Sequence, residues 1–392
     1  MTVPQSSDKN ENRPTTKESR MTPRLSELTS LRIGGEIGTY VEASSEEELI
    51  AVVQQADDDG APLLVLGGGS NVVASDGRFD GVVVRDIRSD WQDANPNESG
   101  ARCGGAALTV AAGCNWDDVV QLAISEEWMG IEALSGIPGS VGATPIQNVG
   151  AYGQEVAETL SSIRVWDRLE KRPRLLALAE MRLGYRDSMM KRTLSDPAAG
   201  GGRIWGPTGR YVVLSVSFQF RFASLSAPIR YAELARALDV TVGDRVPSAE
   251  VRAAVLQLRR GKGMVLDADD HDTWSAGSYF TNPILTEAEA AALPDDAPRF
   301  EVRDHTAVHQ IGGQAPVVDG LVKTSAAWLI DHAGFPKGYG LPGPAALSTK
   351  HVLAITNRGG ASASDIRGLA GEVQAGVKEA FGVDLVPEPV YL

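Results

Sequence analysis

The residues best able to do chemistry stand in short, separated motifs. The stretch 275-SAGSYFTNP-283 sets Ser278 among small residues, with Asn282 four positions on. No histidine stands at relay spacing and GxSxG is absent, which disfavours a Ser-His-Asp hydrolase; a serine there can still donate a proton directly. In 184-GYRDS-188, Arg186 carries the planar fork that receives a carboxylate bidentately, although such an arginine is more often a surface ion-pair residue. The closing PEPVYL places Glu388 between two prolines, which stiffen a segment that would otherwise fray and let it dock. RRGKG at 259–263 ends a helix in cations, as the macrodipole favours; Lys262 is the best candidate to face a phosphate. His305 and His309 have the i,i+4 spacing of metal ligands but lack the glutamate of HExxH and a third ligand, so no metal centre is expected.

Two glycine-rich segments need another account. LGGGSNVV at 66–73 is neither a Walker loop nor GxGxxG, yet its bare amides can approach phosphate oxygens as readily as they can form a tight structural turn. The stretch 133-ALSGIPGSVGATPIQNVGAYGQE-155 is too glycine-rich for a helix and too polar for a core strand. Together the segments can clamp a pyrophosphate and a flat ring through the main chain, with Gln147 and Asn148 as paired donors and acceptors. The bland alternative is an irregular loop covering a sheet edge.

The elements that must carry these motifs follow from pattern. A strand (IGTYVEAS) leads to a helix with Ser45 as N-cap and Glu48 closing a capping box, and a buried strand then runs into LGGGSNVV, a β-α-β unit with parallel pairing. Short strands and an amphipathic helix near 116–125 precede the long glycine loop. After it come SSIRVWDR, RPRLLALAE, a Gly/Pro-rich excursion at 195–210 and the alternating strand YVVLSVSFQF. Beyond 227 the helices YAELARAL and SAEVRAAVLQLRRGKG appear, the second capped by Ser248 and stopped by Gly261 and Gly263. SAAWLIDHAG and SDIRGLAGEVQAGVKEAFG then flank the short strand HVLAITN.

Composition narrows the class. At 392 residues the chain is long enough for two or three packed units. A net charge of −14 argues against nucleic acid or a membrane surface as partner, and an anionic ligand needs a local cationic pocket. Only two cysteines, Cys103 and Cys114, are present, in no CxxC pair, which fits a reduced cytoplasmic setting. Residues 1–21 read as a polar, disordered tail without the apolar core of a signal peptide, and no window supplies about 18 uninterrupted apolar residues for a membrane span.

In this order, LGGGSNVV, GIEALSGIPGSVGATPIQNVGAYGQE, GYRDS, AGSYFTNP, AAWLIDHAGFPKG and the terminal PEP resemble the UDP-N-acetylenolpyruvoylglucosamine reductase family from about Leu25 to Leu392. The resemblance implies an α+β architecture: a vanillyl-alcohol-oxidase (PCMH)-type fold of two FAD-binding subdomains, 22–86 and 87–226, and a C-terminal α+β substrate-binding domain, 227–392. It implies non-covalent FAD along Gly67, Gly68, Gly69, Ser70 and Asn71 and along Gly136, Ile137, Pro138, Gly139, Ser140, Gly142, Gln147, Asn148, Gly150, Ala151 and Tyr152. Ser278 would be the proton donor, Arg186 and Glu388 would complete the catalytic set, and Tyr231, Lys262 and Asn282 would contact substrate. His332 departs from the glutamine that the tyrosine-bearing subclass can carry there, which leaves its role open.

The chemistry so implied is reduction of UDP-N-acetylglucosamine enolpyruvate to UDP-N-acetylmuramate, a step in peptidoglycan precursor synthesis; a monomer is expected, although the sequence does not fix the oligomeric state. NADPH would reduce FAD and leave; hydride would pass from N5 of the reduced flavin to C3 of the enolpyruvyl group and a proton from Ser278 to C2. Glu388 would have to be protonated, or hydrogen-bonded to a donor, to help rather than repel the charge that develops. The rival readings are another flavin oxidase or dehydrogenase on the same scaffold and a non-catalytic nucleotide-binding protein. All five histidines lie at 271 or later, outside the flavin subdomains, which leaves a histidyl-linked flavin without an attachment point there, although Cys103 or Cys114 could in principle form a thioether.

Overall fold

The computed structural model describes residues 22–93, 105–304 and 316–392. The N-terminal tail, Cys103 and the His305/His309 pair lie outside the described residues.

Strands β1 (Ile37–Ala43), β2 (Leu63–Leu66) and β4 (Phe79–Asp86) form a parallel sheet in the order β1-β4-β2; the two-residue β3 (Val72–Val73) lies apart from it. Both strands of the expected β-α-β unit are parallel, but each pairs with β4 rather than with the other. The connecting helix, Glu46–Asp58, starts where Ser45 accepts the Glu48 amide at 3.1 Å. The return bond differs from the expected capping box: Glu48 accepts from the amide and hydroxyl of Ser44, one residue earlier. Its buried face, Leu49, Val53 and Ala56, packs on both the first sheet and Trp166, Val212 and Leu214 of the second. Apolar burial of each such leucine or valine contributes about 1.5–3 kcal/mol, so one helix bonds two layers.

The second sheet is antiparallel. It orders β11 (Arg172–Ala177), β10 (Leu160–Asp167), β12 (Tyr211–Phe222), β6 (Ala106–Ala111) and β5 (Trp91–Asp93), with β7 (Trp128–Met129) on the far end of β12. From Ser215 onward alternate residues of β12 reach the core, as the period-2 pattern requires, whereas Tyr211–Leu214 are buried on both faces because the first layer covers the other side. Helix Trp116–Ser125 covers this sheet, its Asn115 cap accepting from the amides of Asp117 and Asp118. A small hairpin, β8 (Gly150–Ala151) and β9 (Gln154–Glu155), closes the long glycine loop.

Helices Ala232–Ala237 and Ser248–Gly261 gather Leu234, Val251 and Val255 with Ala133 of that loop. The second is capped by Pro247, not Ser248: Ser248 is the first helical residue, its buried hydroxyl without a hydrogen-bond partner among the described residues. A proline with φ −52° fits a helix entrance, so the serine is displaced inward by one. The next core joins residues from 279 onward with Leu31, Ile33 and Val73 of the N-terminal part. Strands β13 (Ile284–Thr286), β15 (Val317–Thr324) and β14 (Arg299–Arg303) form one sheet, and β16 (Ala345–Leu347) pairs with β17 (Ile355–Asn357). Helix Ala363–Phe381 lays Ile366, Leu369, Ala370, Val373 and Val377 on them, capped by Ser362 and ended by Gly382 at φ 71°. Finally β18 (Val390–Tyr391) returns to pair in parallel with β3. No helix among the described residues is long and apolar enough to cross a membrane.

Candidate active site

Where the two sheets and the C-terminal core meet lies a cavity of about 550 Å³. Both glycine loops wall it: Gly67, Gly68, Gly69, Ser70 and Asn71 on one side, and Ile137, Pro138, Gly139, Ser140, Gly142, Gln147, Gly150, Ala151 and Tyr152 on the other. Arg186, Ser278, Glu388, Lys262 and Tyr231 line it too. Residues far apart in sequence thus converge on one space.

The glycines serve two purposes. A Cβ on Gly67 would stand 2.4 Å from the Ser140 hydroxyl, one on Gly68 2.6 Å from the Gly139 Cα, and one on Gly69 1.9 Å from the Leu28 carbonyl. Side chains are therefore excluded first by the other protein segments, which must touch to make the cavity. The Ser70 hydroxyl adds a bond across the loops to the Pro138 carbonyl at 2.9 Å. Among the described residues the amides of Gly68, Gly69, Ser70 and Gly139 donate to no protein acceptor. Amides so aimed suit phosphate oxygens, and a donor set of this kind, above a largely apolar wall, fits FAD.

The reactive side chains are held tightly. Arg186 sits at the tip of a turn in which Gly184 and Asp187 exchange backbone bonds, and its φ of 53° is in the left-handed region that a non-glycine residue adopts at a cost. Its Nη1 donates to the Asn148 carbonyl at 3.2 Å, its Nη2 to the Gly150 carbonyl at 2.5 Å, and its Nε lies 3.4 Å from Glu388 Oε1. Gln147 Nε2 donates to the same Glu388 oxygen at 3.2 Å. Glu388 is therefore faced by two donor groups, the Gln147 amide and the Arg186 guanidinium. The segment bearing it docks as the flanking prolines suggest: the Glu388 amide donates to the Tyr279 carbonyl at 2.8 Å, and Pro387 bridges Phe280. Tyr279 follows Ser278 directly, which brings the Ser278 hydroxyl and the Glu388 carboxylate to neighbouring segments of the wall.

Three of the candidate site residues, and His332 whose role was open, stand elsewhere. Asn148, fully buried at φ 42°, donates to Glu155 at 2.9 Å and to the Gly184 carbonyl at 2.8 Å, so its amide anchors the Arg186 turn instead of facing the cavity. The Gly136 amide donates to Asp117, which also holds Arg252 at 2.7 Å, making this glycine a joint between helices. Asn282 accepts the Ala326 amide at 3.0 Å near the start of helix Ala326–His332. His332, exposed, stacks on Trp328 at 3.9 Å and is outside the cavity lining.

The sequence reading missed several contributors. Lys191, in the short helix Met189–Arg192 capped by Ser188, lines the cavity and donates to the Arg186 carbonyl at 3.2 Å; burial pushes its ammonium below the ordinary value, partly offset by Glu388 and Asp187. Arg259 lines it as well, donating to the Gly136 and Met264 carbonyls. Two cations retained in a partly desolvated space, beside Arg186 and Lys262, make the local positive pocket that an acidic protein needs to take up an anion. Pro207, Thr208 and Gly209 of the 195–210 excursion also reach the wall, anchored by Thr208 Oγ1 accepting the Val65 amide at 2.7 Å. At the far side Tyr231 meets Tyr152 edge-on at 5.7 Å, with Lys262 Nζ above the Tyr152 ring at 5.5 Å and bound to Glu233 at 2.5 Å. Cys114 is buried, hydrogen-bonded to the Asp90 carbonyl at 3.4 Å and pushed up to about 11 by burial, so it is a poor thiolate for linking a flavin.

His351, on the cavity wall, is held down to about 4 by burial and by Lys262, Lys337 and Arg259. The unfolded chain takes up its proton near the ordinary 6.5, before the folded one does. The associated stability is complete above pH 6.5 and is lost as pH falls from 6.5 toward 4, up to about 3 kcal/mol. Urea unfolding across that range, for parent and His351→Gln, should show a difference that shrinks on acidification; a pH-independent difference would contradict it.

The comparisons with known proteins agree with this geometry. Residues 38–171 match the model of an FAD binding domain, and residues 269–392 match that of the UDP-N-acetylenolpyruvoylglucosamine reductase C-terminal domain. A protein of that name from Cutibacterium acnes is 49% identical over 367 residues, covering 93% of this chain and 88% of the relative. Another from Thermobifida fusca is 49% identical, covering 96% of this chain and 99% of the relative. The chain belongs to the UDP-N-acetylenolpyruvoylglucosamine reductase family. The crystal structure of UDP-N-acetylenolpyruvylglucosamine reductase from Thermus caldophilus has the same fold, with a TM-score of 0.56 at 22% identity over 94% of this chain and 97% of that one. As a family member the protein is an FAD-dependent oxidoreductase with NADPH as its second cofactor, and the vanillyl-alcohol-oxidase-type scaffold with its added C-terminal domain is the one observed.

Proposed function

We propose that this reductase converts UDP-N-acetylglucosamine enolpyruvate to UDP-N-acetylmuramate, with NADPH preferred as reductant, in the cytoplasm and as a monomer. The observation that carries the reading is the convergence of Ser278, Arg186 and Glu388 on one cationic cavity walled by amide-bearing loops. FAD, when bound, supplies the hydride that reaches C3 of the enolpyruvyl group. Gly68, Gly69, Ser70 and Gly139 would hold its diphosphate, and Tyr231 and Lys262, across the cavity from them, would hold that of the nucleotide sugar.

Arg186 binds the carboxylate beside the reacting carbons. Of the five N–H donors of a guanidinium, two are engaged by the Asn148 and Gly150 carbonyls and the Nε edge faces Glu388 as an ion pair, which leaves one hydrogen on each Nη for the ligand in a preset orientation. Negative charge that develops at C2 and on the carboxylate is met by a group already in place. Ser278 donates the proton to C2, a task within reach of a weak acid because a carbanion-like carbon is so basic. Glu388, held by Gln147 and Arg186, fixes the guanidinium on its other edge.

Glu388→Gln should reduce turnover by about 100-fold or more, measured anaerobically as return of flavin absorbance after NADPH has bleached it; an unimpaired rate would remove Glu388 from the catalytic set. The same assay decides the whole reading. Bleaching by NADPH and return with the enolpyruvyl nucleotide establish both half-reactions. Return with oxygen or another acceptor alone would make the protein a different flavin oxidoreductase.

A further inference from the structure

The contacts beyond Glu388 point to a positioning device. Resting on the catalytic reading of Glu388 and Ser278, we propose that Tyr391 and Arg367 form a latch that sets the separation of these two groups. Tyr279 holds the closing segment twice: its carbonyl accepts the Glu388 amide at 2.8 Å, and its hydroxyl meets that of Tyr391 at 2.8 Å. Tyr279 itself is fully buried and immediately follows Ser278. The segment then crosses to the glycine loop, where the Val390 amide donates to the Asn71 carbonyl at 3.0 Å and the Leu392 amide to the Val73 carbonyl at 3.1 Å. From helix Ala363–Phe381, Arg367 clamps the outer side, its guanidinium 5.0 Å over the Tyr391 ring and its Nη2 donating to the Leu392 carbonyl at 2.8 Å.

Glu388 itself is bracketed by prolines that offer no amide to the neighbouring segments. Its backbone is registered by its own bond to Tyr279, by the Asn71 side-chain amide donating to its carbonyl at 3.4 Å, by the Thr281–Val386 bond before it, and by whatever fixes the residues after it. Tyr391 and Arg367 supply that fixation from outside the cavity, touching neither substrate nor flavin; they are positioning residues. Misplacement of a catalytic group by about 1 Å costs on the order of 100-fold, so loosening the latch is expected to slow the step that uses Glu388 and Ser278 together.

The test is the double variant Arg367→Gln/Tyr391→Phe, both sites at the surface side of the fold, followed by anaerobic stopped-flow in the FAD-loaded protein. Flavin reduction by NADPH should keep the parent rate, while reoxidation by the enolpyruvyl nucleotide slows by about 10-fold, and Arg367→Lys should recover part of it. Adding Glu388→Gln to the double variant should cost less than Glu388→Gln costs alone, since the latch acts through that residue. Parent-like reoxidation in the double variant, with Glu388→Gln alone slow, overturns the latch. Equal slowing of both half-reactions also overturns it, because a general loosening would do that. If Glu388→Gln alone is unimpaired, the catalytic reading of Glu388 falls and the latch falls with it.

Discussion

Ser278→Ala is expected to leave reduction of the flavin by NADPH unchanged and to slow its reoxidation by the enolpyruvyl nucleotide by about 10²- to 10⁴-fold, the range removed with a general acid. The split follows from where the proton is needed. Hydride transfer from NADPH creates no charge beside Ser278, whereas protonation of C2 requires a donor there. Ser278 is small, partly exposed to the cavity and flanked by Gly277 at φ 77°, so alanine fits without repacking. A cysteine at the same position should restore part of the lost rate. Stopped-flow traces of both half-reactions decide the matter: a loss shared equally by the two would mean that the serine shapes the cavity rather than acts as an acid.

Arg186→Lys is the second large effect, expected to lower kcat/KM by about 10²- to 10³-fold despite keeping the charge, a loss comparable to that of an oxyanion-stabilising donor. A lysine ammonium is a point with three donors. It cannot bond the Asn148 and Gly150 carbonyls, neutralise Glu388 and still present a fork to a carboxylate. The left-handed turn adds a second liability, since any L residue there shares the strain while lysine makes fewer bonds to offset it. Steady-state kinetics of Arg186→Lys and Arg186→Met should be similarly poor; a lysine variant within about 10-fold of the parent would show that charge alone suffices.

Much of this arrangement was legible in the residues because the signals were local. Helix Trp116–Ser125, the body of helix Ala363–Phe381 and the second half of strand β12 follow from periodicity. The proline-flanked Glu388 announced a docked segment. What failed depended on partners remote in sequence or on one-residue offsets. Nothing near Gly68 says that Gly139 lies against it, so bare backbone was read as room for a ligand when part of it is room for another loop. Asn148 and Gln147 looked like a pair, but the left-handed turn at Asn148 sends one amide to the Arg186 turn and leaves the other at Glu388. Lys191 carried a faint signal, a cation behind two methionines three residues after a serine cap, which marks a lysine on the inner side of a short helix. The Ser248 cap failed because the proline before it already suited the helix entrance.

The pairing of β18 with β3 bears on how the molecule assembles. Asn71 and Glu388 are 317 positions apart and Asn357 reaches Leu31 across 326, so the cavity is closed by some of the longest-range contacts in the chain. Contacts of this kind form late, after more local structure has offset the entropy of closing so large a loop. The flavin half can therefore acquire its sheets while the chain emerges, yet hold no complete pocket until residues 386–392 have been made and have returned to the glycine loop. Maturation of activity should lag behind the appearance of secondary structure during refolding, with the closing strand setting the lag.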